Sequence, residues 1–147
     1  MNPDAEQLHA SAVAIGGRGI LLLGPSGAGK SDLALRLIDD GAVLVADDRV
    51  DIAVSEADVF LSPPNVLAGL LEVRGVGIVR RDHEAKVSLS LVVDLVKPDQ
   101  VPRLPESLVG DFMGAAVRRI ALDPFEASAL AKIRLALTVK DEDMLET

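Results

Sequence analysis

Residues 20–39 constrain the fold more tightly than any other part of the chain. An apolar run, Ile20-Leu21-Leu22-Leu23, leads into Gly24-Pro25-Ser26-Gly27-Ala28-Gly29-Lys30-Ser31, and Asp32-Leu33-Ala34-Leu35-Arg36-Leu37-Ile38-Asp39 leaves it with helical spacing. A Gly-x-x-x-x-Gly-Lys-Ser loop between a strand and a helix is a phosphate cradle, because glycines let backbone amides converge on an anion and the helix adds its positive end. In such a loop Lys30 reaches the β- and γ-phosphates of a nucleotide and the Ser31 hydroxyl ligates Mg²⁺. A chance glycine-rich turn would lack these flanks. Gly24 to Ser31 are therefore the expected ATP site, and the surrounding domain is expected to be α/β.

Composition narrows the class. A chain of 147 residues is expected to form a single domain, 1–147, large enough to bury a core without staples. Cysteine is absent, which removes disulfides and thiolate sites and suits a cytoplasmic location. No apolar run has transmembrane length, and Met1 to Glu6 lacks the build of a signal peptide, so no membrane partner is expected. A net charge of −8, with phenylalanine as the sole aromatic type, argues against a nucleic-acid surface. Positive charge must then be gathered locally, and Arg74, Arg80-Arg81 and Arg118-Arg119 are the clusters available.

Along the chain, Ser11–Ile15 and Gly19–Leu23 read as two strands joined by a tight glycine turn. The cradle helix stops at Gly41, and strands follow at 42–46, 50–54 and 59–61. Asn65 to Leu70 suits one helical turn. In 71–79 two glycines suggest backbone close to a neighbour. Val87–Val96 is the longest strand candidate, Pro98, Pro102 and Pro105 enforce an irregular connection, and 118–122 suits a last strand. A closing helix is marked by Asp123 as N-cap, Pro124 at the first position and Glu126 in a capping box, with Leu130, Ile133 and Leu137 buried. Residues 140–147 suit a frayed acidic tail.

Phosphoryl transfer also needs a metal-binding carboxylate and a group that activates the attacking oxygen. Asp47-Asp48 ends the apolar run after the cradle helix, where a strand's C-terminal end faces a nucleotide crevice; Asp94, inside a longer apolar run, is the weaker candidate. Adjacent residues at a strand end point to opposite faces, so one aspartate can aim at the γ-phosphate while its neighbour serves structure or metal, and the pattern leaves open which does so. Glu72, between apolar neighbours, calls for a metal or for Arg74 as partner. His9 has position as its only claim, and His83 suits a solvated turn. Asp111-Phe112-Met113-Gly114 imitates a kinase metal motif, but the His-Arg-Asp companion is absent.

Four stretches together, His9, Gly24 to Ser31, Val45-Ala46-Asp47-Asp48-Arg49-Val50 and Leu70-Leu71-Glu72-Val73-Arg74-Gly75-Val76-Gly77-Ile78-Val79, resemble the catalytic domain of bacterial HPr kinase/phosphorylase. The resemblance implies a phosphate-loop mixed sheet with flanking helices, of the HPr kinase/phosphoenolpyruvate carboxykinase-like type. It implies an ATP- and Mg²⁺-dependent serine kinase acting on HPr, or a nitrogen-branch relative, and regulating a phosphotransferase system. By position it makes Asp47 the base, His9 its neighbour and Lys30 the phosphate contact. Ser31 and Glu72 become Mg²⁺ ligands, with Asp48 left to the metal, and Arg74 and Arg103 lie near the transferred phosphate. Family members assemble as hexamers, which suggests a homo-oligomer.

The chain departs from that family in starting just before His9, in a short segment after the signature, and in Pro25 where many members have Asp. It also carries Ala121-Leu122-Asp123-Pro124-Phe125-Glu126 where many members carry an arginine-containing stretch tied to dephosphorylation. A short-form kinase with weak phosphorylase activity is the expectation. A small-molecule kinase on the same scaffold and a non-catalytic ATP sensor are the alternatives.

Overall fold

The computed structural model describes residues 5–145. Strand β1 (Ala5–Leu8), which no sequence signal marked, precedes β2 (Ser11–Ile15) and β3 (Arg18–Leu23). The last two form the expected hairpin, and Gly16 and Gly17 have φ of 57° and 77°, the left-handed pair that a two-residue turn between twisted strands requires. Helix α1 (Lys30–Asp39) buries Leu33, Ala34 and Leu37, each apolar side chain contributing about 1.5 to 3 kcal/mol on burial if Leu-sized. It ends before Gly41, whose φ of 108° breaks the helical path. Then come β4 (Val43–Ala46), β5 (Val50–Ser55), β6 (Asp58–Ser62) and a 3₁₀ turn at Asn65–Leu67, all close to expectation. The rest comprises β7 (Leu70–Val73), β8 (Gly77–Arg80), β9 (Val87–Leu95), β10 (Val109–Phe112), β11 (Ala115–Leu122) and α2 (Ala129–Thr138).

Nine strands make one mixed sheet, ordered β1-β5-β6-β9-β3-β2-β4, and it forks at β9. Val87 and Ser88 of β9 pair with β6, whereas Leu91 to Leu95 pair in parallel with β11, which carries β10 on its far edge. β3 is also parallel to β9, so the C-terminal ends of β3, β9 and β11 lie together at Leu23, Leu95 and Leu122. One core cluster joins Ile20, Leu22, Leu91 and Val93 to Leu33 and Leu37 of α1 and to Ile133 and Leu137 of α2. A second gathers Ala12, Leu21, Val45, Ile52, Leu61, Val92 and Phe112 without either helix. The architecture is thus α/β, a mixed sheet with its helices on one of two core layers, as expected. β7 and β8 form a separate two-stranded sheet.

Three local expectations change. Gly75 and Gly77 do not mark close backbone approach, since a methyl on either would meet nothing within 4 Å; their φ of 88° and 125° instead allow 71–79 to turn back as the β7–β8 hairpin. Helix α2 begins six residues after Asp123. The Asp123 carboxylate accepts the Phe125 N–H at 3.0 Å, and Arg36 of α1 holds the Pro124 carbonyl, so Asp123–Ser128 forms a loop and Ser128 is the N-cap. Residues 140–145, expected to fray, include a 3₁₀ turn at Asp141–Asp143, with Asp141 paired to Arg118 at 2.9 Å. Glu146 and Thr147 lie outside the described residues. Asp111 and Phe112 end β10, and Met113-Gly114, at φ 52° and 87°, turn the chain into β11.

Asp94 is a strut. Arg119 of β11 donates to both its oxygens, from Nε at 2.7 Å and Nη2 at 3.0 Å, and spends Nη1 on the Asp111 carbonyl at 2.8 Å, so one guanidinium joins β9, β10 and β11. The hydrogen bond to Asp94, opposed by burial and aided by the charges of Asp94 and Asp111, holds Arg119 above its ordinary pKa. Asp94→Ala should lower stability by about 1 to 2 kcal/mol, the pair being partly open to water, and leave ATP affinity unchanged. Urea denaturation checks this, and an unchanged midpoint would remove the strut.

Candidate active site

Strand β3 delivers the chain into a loop that close packing shapes before any ligand arrives. A methyl on Gly24 would come within 2.9 Å of Ala28 Cβ and 3.3 Å of Leu95 Cβ, so only glycine fits where the loop folds over the end of β9. Gly27 and Gly29 take φ of 83° and 101°, left-handed values that turn the backbone toward the helix start. The Ala28 N–H bonds to the Pro25 carbonyl at 3.0 Å, and α1 begins at Lys30. Lys30 Nζ donates to the Gly24 and Pro25 carbonyls at 2.5 and 3.1 Å, which holds its charge over the loop. Amides, helix end and ammonium together make a concentrated positive site in an acidic chain.

The two aspartates at the end of β4 have opposite surroundings. Asp47 is 5% exposed, and its Oδ1 accepts the hydroxyls of Ser31 and Ser11, each at 2.8 Å. Asp48 sits at φ 70°, while the Arg49 N–H bonds back to the Asp47 carbonyl at 2.8 Å, a tight γ-type turn of a strained kind. The turn sends the Asp48 side chain, 69% exposed, into the cleft beside the cradle. His9 joins it there, with Nδ1 at 3.9 Å from Asp48 Oδ1. The assignment of Asp47 to the reacting hydroxyl and Asp48 to the metal therefore meets a geometric obstacle. Asp47 is enclosed and occupied by hydroxyls, and Asp48 is the carboxylate that opens to the cleft.

Ser11 was missed from the sequence. Its signal was a hydroxyl inside an otherwise apolar strand, since a fully buried polar atom must have a partner.

The β7–β8 hairpin supplies the opposite wall. Glu72 and Arg74 are exposed, both line the cleft, and no ion pair joins them among the described residues. Val73, Val76 and Ile78 line it as well. Arg103 is exposed in the irregular connection and is not among the cleft-lining residues, so the structure does not bring it to the others. His83 is exposed, as expected, and bridges to Leu44 through its backbone. Among the described residues no group of three or more carboxylates or histidines could hold a metal unaided.

Comparison with known proteins bears on the family and the fold. The model of the HPr Serine kinase C-terminal domain family matches residues 3–108. An HPr kinase/phosphorylase of Leptothrix cholodnii is 41% identical over 131 residues, covering 78% of this chain and 39% of that protein. One from Clostridium tetani is 48% identical over 89 residues, covering 60% of this chain and 28% of that protein. The chain thus spans well under half the length of these relatives. The solved structure of the HPr(Ser) kinase/phosphatase from Coxiella burnetii superposes with a TM-score of 0.75 at 27% identity, covering 89% of this chain and 93% of that one. A family match across residues 3–108, joined to a phosphate loop facing paired aspartates, leads to one conclusion: the chain belongs to the HPr serine kinase C-terminal domain family.

Proposed function

We propose that this chain is an ATP- and Mg²⁺-dependent protein-serine kinase whose substrate is an HPr-type phosphocarrier, with Asp48, rather than Asp47, as the base. The observation that carries the reading is the contrast between the two carboxylates. Asp48 is held in the cleft by a positive-φ turn with His9 beside it, and Asp47 is buried on the Ser31 hydroxyl. A base must come within hydrogen-bond reach of the hydroxyl proton, and of the two aspartates it is Asp48 that opens to the cleft, while Asp47 accepts the Ser11 and Ser31 hydroxyls.

In the forward reaction Asp48 takes the proton of the substrate serine as its oxygen attacks the γ-phosphorus. The bond to the β-phosphate oxygen breaks, and ADP leaves with the electron pair. Lys30 and the loop amides balance the charge on the phosphates. Ser31, oriented by Asp47, and Glu72 from the hairpin would hold Mg²⁺, which would supply charge neutralisation at the phosphates. Arg74, exposed at the turn of the same hairpin and lining the cleft, is the second cation available to the transferred group. Arg103 has no part in this scheme. Asp47 is a positioning residue.

The reverse reaction is proposed to be weak. Residues 121–126 contain no basic side chain, and the Arg36 guanidinium beside them is held by the Pro124 carbonyl and by Asp32.

The test is transfer of labelled γ-phosphate to purified HPr. The wild-type chain should label a serine, and Asp48→Asn should bind ATP normally yet transfer at least about a hundredfold more slowly. Asparagine tolerates the positive φ, so folding is preserved. Phosphate-dependent pyrophosphate release from phospho-HPr should be far slower than the forward rate. ATP binding without label on HPr would favour a sensor, and label on a small molecule instead of HPr a metabolite kinase.

A further inference from the structure

The loop between β11 and α2 is fixed at several points. Arg36 of α1, itself paired with Asp32 at 3.0 Å, donates to the Pro124 carbonyl, Asp123 accepts the Phe125 N–H at 3.0 Å, and Lys132 holds Glu126. The result sets one aromatic ring against the cradle. A methyl on Gly29 would lie 3.0 Å from Phe125 Cζ, 3.3 Å from its Cε1 and 3.4 Å from Pro124 Cγ. Yet Phe125 is 70% exposed, whereas Phe112 is buried and Phe60 half-buried. A lone exposed apolar residue is ordinary. Phe125 does not itself line the cleft as Gly29 does, but its ring edge lies against Gly29 and the rest of its surface is open.

Strand order says which part of the ligand. In the sequence β9-β3-β2-β4, the loop rises from β3. His9 precedes β2 and Asp48 follows β4, so the group that receives the γ-phosphate stands on the β2–β4 side. The other side of β3 holds the C-terminal ends of β9 and β11, parallel to it, and ligands of parallel sheets lie outside those ends. A triphosphate with its γ-end toward Asp48 therefore sends its nucleoside toward β9 and β11, where Phe125 follows Leu122.

We propose that Phe125 is the platform on which the base of the bound nucleotide stacks. The proposal rests on reading Gly24–Ser31 as an ATP cradle. Because every base presents a π-face, the contact favours a nucleotide over bare polyphosphate and distinguishes little among bases.

The sequence contains neither tryptophan nor tyrosine, so Phe125→Trp gives a single reporter. ATP and tripolyphosphate, each with Mg²⁺, are titrated against the full chain, Phe125→Ala and Phe125→Trp. Phe125→Ala should lose about tenfold in ATP affinity and nothing toward tripolyphosphate. Phe125→Trp should bind ATP as the wild type does, with emission that changes on ATP and not on tripolyphosphate. Unchanged ATP affinity in Phe125→Ala, with wild-type binding intact, removes Phe125 from the site and leaves the cradle standing. Equal losses for both ligands would mean a distorted loop and also overturn the platform. A wild-type chain that binds neither ligand overturns the cradle and the platform together.

Discussion

One carboxylate oxygen, Oδ1 of Asp47, ties the site together. It accepts hydroxyls from Ser11 on β2 and Ser31 at the start of α1, so three elements meet at one buried atom. A buried carboxylate without partners is costly, and these two hydroxyls are what make the burial tolerable. The same contacts fix the rotamer of the serine that follows the cradle lysine. They also settle the fate of the next residue. With Asp47 turned inward, the chain reverses at Asp48 through a positive-φ turn, and that side chain emerges in the cleft.

The arrangement depends on strand order as much as on any contact. β3 lies between β9 and β2, so its loop has Asp47 and Asp48 on one side and the open ends of two parallel strands on the other. The fork at β9 makes this possible, since releasing β6 after Ser88 frees the edge that β11 then occupies. β11 brings α2 under the same face as α1, and Arg134 bonds the Asp40 carboxylate and carbonyl to lock the two helices. The β7–β8 hairpin stands outside this sheet. Glu72 and Arg74 thus ride on an element that is not part of the main sheet.

What the sequence made legible was local. The cradle, its hairpin and the strands at 43–62 follow from apolar periodicity and glycine turns within a few residues of each other. The start of α2 was misplaced because Asp123 and Pro124 have the right chemistry for a helix cap, but Arg36, 88 residues away along the chain, holds the Pro124 carbonyl. Ser11 and Asp47 are 36 residues apart, so no window of sequence joins them. The division between Asp47 and Asp48 turns on a backbone angle, and two identical side chains carry no mark of it. Gly75 and Gly77 were visible as special, but their purpose, a turn rather than close approach, depended on what surrounds them.

The division of labour between the aspartates is the central claim, and Mg²⁺ dependence tests it most directly. ATP binding is titrated with Mg²⁺ in the wild type, Asp47→Asn and Asp48→Asn. If Asp47 orients the metal-binding serine and Asp48 serves the substrate hydroxyl, Asp47→Asn should require about tenfold more Mg²⁺ for half-maximal binding, in line with losses of groups that orient metal ligands. Asp48→Asn should match the wild type. The reverse pattern, with Mg²⁺ affinity lost in Asp48→Asn and kept in Asp47→Asn, would contradict the account.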